Sequence, residues 1–94
     1  MNQNIKTYLL TIKGRVQNVG FRYWFYREAI NLNLKGYVKN LNNGNEVESL
    51  VQGHSSKIID IIKKSKKGPK PALVEEVKST QIMNNEIYTN FIIK

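Results

Sequence analysis

Apolar residues recur along this chain with two different periods, one typical of β-strands and one typical of α-helices. In residues 5–13 they fall mostly on alternate positions, which predicts a strand with one buried face. In residues 21–32 they recur with helical spacing. The buried face of this first predicted helix consists of Phe21, Phe25, Ala29 and Leu32, with Trp24 beside them.

A second helix is predicted in the middle of the chain, because isoleucines cluster there with helical spacing. Ser55 or Ser56 can cap its start, and Gly68-Pro69 ends it. Lysines near its end suit the negative end of the helix dipole. Its apolar side consists of Ile58, Ile59, Ile61 and Ile62.

Shorter apolar segments bounded by turn residues predict further strands. Asn43-Gly44, within a turn at residues 41–45, is a strong signal for a hairpin, and Asn84-Asn85 predicts a second turn. These strands are predicted at residues 36–40, 46–52, 74–82 and 88–93.

The order of predicted elements is β-α-β-β-α-β followed by one more strand. This order predicts an α+β, ferredoxin-like fold, in which two helices cover one face of an antiparallel sheet that has an additional C-terminal strand. The chain has 94 residues, so we expect residues 1–94 to form a single domain around one core. Such a fold supports many functions and does not select one.

The charge of the chain points to an anionic partner. The formal net charge is +8, which attracts nucleic acid, an acidic membrane or a phosphorylated small molecule. An RNA-binding module on the same type of fold would stack bases on sheet aromatics, but the aromatic-rich motif of such modules is missing. The lysines of residues 63–70 are more typical of a solvated helix end than of a docking site.

The sequence contains no cysteine, which excludes disulfides, thiolate nucleophiles and cysteine metal sites. This composition fits a reducing compartment. Residues 1–10 lack the apolar core of a signal peptide, and no segment approaches the ~20 apolar residues of a membrane span. We therefore expect a soluble, cytoplasmic protein without a membrane contact.

Residues 14–22 join the first strand to the first helix and read Gly-Arg-Val-Gln-Asn-Val-Gly-Phe-Arg. A helix start presents unpaired main-chain N–H groups and a partial positive charge, so a loop that curls there can hold an anion. Gly20 allows close approach to a ligand, Gly14 allows a bend out of the strand, and Arg22 can hold two phosphate oxygens. From composition alone, a plain connection with a solvated arginine is an open alternative.

This stretch resembles the first signature of the acylphosphatase family. A second match follows at residues 36–40, which read Gly-Tyr-Val-Lys-Asn. The resemblance extends over nearly the whole chain, and two motifs in this order and spacing are specific enough to remove the plain alternative. Further matching positions are Gly44, Val47, Glu48, Gly53, Gly68-Pro69 and Phe91-Ile92.

The resemblance implies hydrolysis of acyl phosphates and a role for each motif. The matching arginine, Arg22, would bind the phosphoryl oxygens, and the matching asparagine, Asn40, would position the attacking water. It implies no cofactor and a small-molecule substrate, and we expect a monomer that binds no nucleic acid. The loop whose main-chain N–H groups would hold the phosphate comprises Gln17, Asn18, Val19, Gly20, Phe21 and Arg22.

The sequence departs from the family pattern at three places. Asn18 stands where the family usually has glycine. If that position requires a positive φ, asparagine adopts it more readily than other non-glycine residues, at a cost of about 1 kcal/mol, so we expect activity to be retained. One additional residue lies between Gly44 and Val47, and we expect the hairpin loop to absorb it far from the chemistry. Tyr37 replaces the usual tryptophan.

The chemistry agrees with this interpretation independently of the resemblance. An acyl phosphate loses a carboxylate, which is a weak base and needs no general acid, so the reaction needs mainly positioning and charge stabilisation. The chain has one histidine, no cysteine and no evident acidic cluster, whereas a phosphomonoester would usually require a metal ion, a nucleophile or an acid. These features favour metal-free hydrolysis of labile acyl phosphates.

Several candidate residues keep a structural alternative. The amide of Asn40 can both accept from and donate to a water, but asparagine also ends strands at turns. We interpret His54 as a surface or cap-region residue, and Trp24 and Phe25 as core residues. A relative that binds phosphate without turnover is a further alternative, because similar domains occur in larger carbamoyl-transferring proteins. Since this chain lacks their additional domains, a free-standing enzyme is favoured.

Overall fold

The computed structural model describes residues 4–83 and 86–94, which form five strands and two helices. This order confirms the predicted ferredoxin-like arrangement with one additional strand. The predicted turn at Asn84-Asn85 lies outside the described residues. The elements are β1 (Ile5–Arg15), α1 (Phe21–Asn31), β2 (Lys35–Asn40), β3 (Glu46–His54), α2 (Ser55–Lys67), β4 (Leu73–Gln81) and β5 (Phe91–Ile93).

The strands form one sheet in the order β4-β1-β3-β2-β5. The first four strands pair in antiparallel fashion, but β5 runs parallel to β2. The sheet is therefore mixed, and the prediction of an antiparallel sheet is wrong for its last strand. The reason is topological, because the chain reverses direction after β4 and so runs beside β2 in the same direction.

One face of the sheet packs against both helices to form the core. The predicted burial of Phe21, Phe25 and Ala29 is confirmed, since each is at most 1% exposed. The strands contribute Leu10, Ile12, Val38, Val47 and Val51 to this core. Trp24 is partly buried against it, as expected for a core residue.

The apolar face of α2 is narrower than predicted. Ile58 and Ile61 are buried, and Ile62 packs partly against the core. Ile59 is 55% exposed, so its assignment to the buried side is wrong. Ile59 is a quarter-turn from Ile58 on a helix, which carries it off the stripe that faces the sheet.

The start of α2 is capped by a residue other than the two predicted serines. β3 continues to His54, and the His54 ring accepts a hydrogen bond from the Ser56 N–H at 3.3 Å. This result confirms the cap-region interpretation of His54 and corrects the choice of Ser55 or Ser56. At the other end, the N–H of Gly68 donates to the carbonyl of Lys64 at 2.9 Å, where the helix stops as predicted.

β5 is shorter than predicted, because Tyr88 and Glu86 bond to the Gln52 side chain and not to a strand. The N–H of Tyr88 donates to the Gln52 side-chain carbonyl at 2.9 Å, and the Gln52 amide donates to the Glu86 carbonyl at 2.8 Å. Gln52 thus fastens the connection to the end of β3, and strand pairing begins only at Phe91. In the described part of the chain, neither helix is long and apolar enough to cross a membrane.

Candidate active site

The ends of β1 and β2 and the start of α1 meet at one end of the sheet, together with the end of β5. β1 is bulged between Lys13 and Gly14, and Gly14 has a φ of 140°. A Cβ at this position would collide with the carbonyl oxygen of Leu73 on β4. The bend predicted at Gly14 is therefore present, and only glycine allows it.

The loop that follows β1 turns at two residues with left-handed backbone. Asn18 has a φ of 61°, and Gly20 has a φ of 77° and a ψ of 16°. Asparagine therefore occupies the conformation for which it was the favoured substitute for glycine. The space that a Cβ on Gly20 would enter contains no atom within 4 Å. Left-handed residues of this kind turn successive N–H groups inward and create concavities that bind anions.

The first turn of α1 is left open. Among the described residues, no side chain caps this helix, and its first turn contains no acidic residue. The first helical bond runs from the Trp24 N–H to the Gly20 carbonyl at 3.0 Å. The N–H groups before it have no intrahelical partner, and the helix dipole adds a partial positive charge there. This helix start can therefore bind an anion.

Arg22 lies in this first turn, and its guanidinium is held toward the end of the sheet. Its Nη1 donates to the main-chain oxygen of Lys94 at 2.9 Å. Lys94 is fixed in turn, because its N–H donates to the Val38 carbonyl at 2.8 Å and its Nζ lies 4.2 Å from the centroid of the Tyr37 ring. A guanidinium has five donors, so others are free to hold a bound anion.

Asn40 is the last residue of β2. It follows Val38 by two positions, so its side chain lies on the helix-covered side of the sheet. Its Oδ1 is buried and has no hydrogen-bond partner among the described atoms. A buried acceptor without a partner costs about 1–3 kcal/mol, which makes this oxygen a ready acceptor for a water or a ligand.

The side chain of Gln17 has a role that the sequence did not reveal. Its Nε2 donates to the carbonyls of Leu41 at 2.8 Å and Glu46 at 3.0 Å, and the N–H of Gly14 donates to the Asn45 carbonyl at 2.9 Å. The hairpin after β2 is thus bonded to the loop of residues 17–22 and to the end of β1. The hairpin therefore lies closer to this loop than expected, because β2 ends and β3 begins beside it, although no residue of 41–46 lines the pocket.

These elements enclose a pocket of about 210 Å³. The pocket brings together five of the predicted site residues, and the remaining two, Gln17 and Val19, do not line it. The residues that line it are Val16, Asn18, Gly20, Phe21, Arg22, Tyr23, Asn40 and Ile93. Val16, Tyr23 and Ile93 were not predicted as site residues; Val16 lies within the first motif, whereas no motif marks Tyr23 or Ile93.

Among the described residues that line this pocket, Arg22 and Tyr23 are those with titratable side chains. In residues 4–83 and 86–94, no three His, Cys, Asp or Glu side chains lie close enough together to hold a metal ion. On the other face of the sheet, the Tyr37 hydroxyl donates to Glu48 at 2.7 Å. Burial, and then this hydrogen bond, raise the pKa of Tyr37, so its phenol stays protonated. Of the described pocket-lining residues, Arg22 is the one with a charged side chain.

Comparison with known proteins agrees with this geometry. A family model described as Acylphosphatase matches residues 8–93. A curated acylphosphatase of Caldivirga maquilingensis is 40% identical over 83 residues, which is 88% of this chain and 87% of the relative. The chain therefore belongs to the acylphosphatase family, whose activity is the hydrolysis of acyl phosphates.

Solved structures of the same family share the fold over its whole length. The structure of an acylphosphatase from Coxiella burnetii has a TM-score of 0.92 and 32% identity, and the match covers 100% of both chains. The acylphosphatase from Bacillus subtilis has a TM-score of 0.90 and 32% identity, with 96% of this chain and 98% of that one covered. The resemblance inferred from two short motifs is thus confirmed.

Proposed function

We propose that this chain hydrolyses acyl phosphates to a carboxylate and inorganic phosphate, without a metal ion, by means of Arg22, Asn40 and the loop of residues 17–22. The observation that carries the proposal is the buried, unpartnered Oδ1 of Asn40 in the same pocket as Arg22 and the uncapped start of α1. A water acceptor and an anion site therefore lie side by side.

The phosphoryl group occupies the concavity formed by the loop. The main-chain N–H groups at the start of α1 donate to its oxygens, and Arg22 adds charge-assisted hydrogen bonds from the side. Arg22 keeps its bond to the Lys94 oxygen, which holds the guanidinium in one place before the substrate arrives. Donors arranged in advance stabilise the charge that develops on the equatorial oxygens in the transition state.

Asn40 positions the attacking water. Its Oδ1 accepts a hydrogen bond from the water, which leaves a lone pair of the water oxygen free to point at phosphorus. The phosphorus–oxygen bond to the water forms as the bond to the acyl oxygen breaks, and the electron pair leaves with the carboxylate. The water gives its proton to the released phosphate or to solvent. Because a carboxylate leaves readily, no general acid or metal ion is required.

The test is hydrolysis of benzoyl phosphate in the presence of a chelator, with a phosphomonoester as the negative control. Arg22→Ala and Asn40→Ala should each lower kcat/KM by at least about 10²-fold, the usual effect of losing one preorganised transition-state group. Lys66→Ala and Asn31→Ala, which remove an exposed charge and an exposed amide elsewhere, serve as matched controls and should leave the rate unchanged.

The possible outcomes separate the alternatives. If wild-type protein does not hydrolyse benzoyl phosphate above background, the proposed activity is wrong. If it binds inorganic phosphate but does not turn over an acyl phosphate, the chain is a binding relative of the enzymes. If either variant loses only a few-fold in rate, the role assigned to that residue is wrong.

Four further properties belong to this proposal. The single core shared by both helices and all strands supports one domain for residues 1–94. The lack of cysteine supports a cytoplasmic location. We also propose a monomer that binds no nucleic acid, which light scattering and titration with labelled RNA at low salt would test.

A further inference from the structure

Two apolar side chains at the pocket are exposed although they line it. Tyr23 is 60% exposed and Ile93 is 42% exposed, whereas the other two apolar lining residues, Val16 and Phe21, are each 1% exposed. Phosphoryl oxygens require hydrogen-bond donors, and neither the ring face of Tyr23 nor the Ile93 side chain supplies one; the Tyr23 hydroxyl is a donor, and the Tyr23→Phe variant below tests its part. These two side chains therefore suit a part of the ligand other than the phosphate.

We infer that Tyr23 and Ile93 form a subsite for the acyl group, and that the chain favours acyl phosphates whose acyl group is flat and apolar, above all aromatic, over small ones such as acetyl phosphate. The inference rests on the proposed function and names the substrate class of the same pocket. With the phosphoryl group in the loop, the acyl group projects toward the pocket mouth, where these side chains are exposed.

Tyr23 is well placed and held in position. It follows Arg22 directly in the first turn of α1, and both residues line the pocket. Its ring stacks against Tyr26 with centroids 6.4 Å apart, and the Arg27 guanidinium lies 5.8 Å from its centroid. A ring that is already held loses little conformational freedom when a ligand packs against it, which favours binding.

Ile93 reaches the pocket from the sheet. Phe91 packs against Phe25 with ring centroids 5.9 Å apart, and Ile93, two residues later on β5, lies on the same side of the sheet. Ile93 pairs with Val38 on β2, the strand that ends in Asn40.

The two side chains flank one hydrogen bond. Tyr23 adjoins Arg22 in sequence, and Ile93 adjoins Lys94, whose main-chain oxygen accepts from Arg22. The apolar surface is therefore immediately next to the group that binds the phosphoryl oxygens. An acyl group is one carboxyl away from the phosphorus, so it falls within reach of both side chains. An aromatic acyl group would cover more of this surface than a methyl group, and apolar binding grows with buried area.

The test compares benzoyl phosphate with acetyl phosphate in wild-type protein and three variants. Tyr23→Ala should raise KM for benzoyl phosphate by about 3- to 10-fold, the range for losing one aromatic contact, with kcat nearly unchanged. KM for acetyl phosphate and the inhibition constant of inorganic phosphate should change by less than about twofold. Tyr23→Phe should keep the wild-type preference, and Ile93→Ala should raise KM for benzoyl phosphate by about 2- to 3-fold.

Ile30→Ala is the matched control, because Ile30 lies on α1 with a similar exposure of 46% and does not line the pocket. It should change neither KM. An equal change of KM for both substrates in Tyr23→Ala, or no change for either, would overturn the subsite while leaving the hydrolytic activity in place. If wild-type protein hydrolyses neither substrate, the proposed function fails instead. Calorimetry with benzoylphosphonate against acetylphosphonate then decides the subsite, since equal affinities would overturn it.

Discussion

The two helices of this molecule begin in opposite ways, at opposite ends of the sheet. α1 begins after Gly20 with no side-chain cap, whereas the start of α2 is closed by the His54 ring, which accepts from the Ser56 N–H. Neither first turn contains an acidic residue. The difference indicates which helix start has main-chain N–H groups available to a ligand. Of the two helix starts, the uncapped one, at α1, lines the pocket that contains Arg22 and Asn40.

The largest effect is expected from reversing the charge at the uncapped start of α1. Arg22→Glu should lower kcat/KM for benzoyl phosphate by at least about 10³-fold, because it removes a phosphate ligand and places a carboxylate against the incoming anion. The free energy of unfolding in urea should change by less than about 1 kcal/mol, since a carboxylate suits the helix dipole and offsets the lost bond to Lys94. A large loss of stability would mean that Arg22 serves the fold rather than the substrate.

A second substitution removes the side-chain cap from the start of α2. His54→Ala should lower the free energy of unfolding by about 1 kcal/mol, because the Ser56 N–H loses its acceptor, while kcat/KM stays unchanged. His54→Asn is the matched control, since asparagine can accept the same hydrogen bond and should restore stability. Equal stability of the alanine variant and the wild type would show that this cap contributes nothing.

The smallest effect is expected from an added acidic residue at the closed start. Lys57 is exposed in the first turn of α2, the turn that corresponds to the position of the half-buried Arg22 in α1. Lys57→Glu should raise the free energy of unfolding by about 0.3–1 kcal/mol and leave hydrolysis unaffected. The same substitution type would thus stabilise at one helix start and inactivate at the other. Loss of activity in the Lys57 variant would contradict the distinction between the two starts.

Much of this fold follows from local patterns. Helical spacing identified the buried face of α1 because the residues that share a helix face recur with a fixed period. The left-handed backbone at Asn18 was also foreseeable, since the residue type carries the preference. In both instances the deciding interaction is between the residue and its own backbone or its near neighbours.

The features that sequence missed depend on partners distant along the chain. The parallel direction of β5 is set by its position in the sheet, and the late start of that strand is set by Gln52. Arg22 and Gln17 donate to main-chain oxygens, which every residue possesses, so no side chain in the sequence marks the partner. Tyr23 and Ile93 line one pocket only because the start of α1 and the end of β5 lie at the same end of the sheet.

The paired hydrogen bonds of Gln17 have a consequence for which changes the hairpin of this chain can accept. Among the described residues, the Gln17 amide donates to the carbonyls of Leu41 and Glu46, so these two hydrogen bonds do not depend on which side chains stand at those positions. An insertion between the two carbonyls is equally tolerated as long as both oxygens return to the same place. The additional residue near Asn45 is such an insertion. Changes in the length of the hairpin can therefore occur while Gln17 keeps both hydrogen bonds.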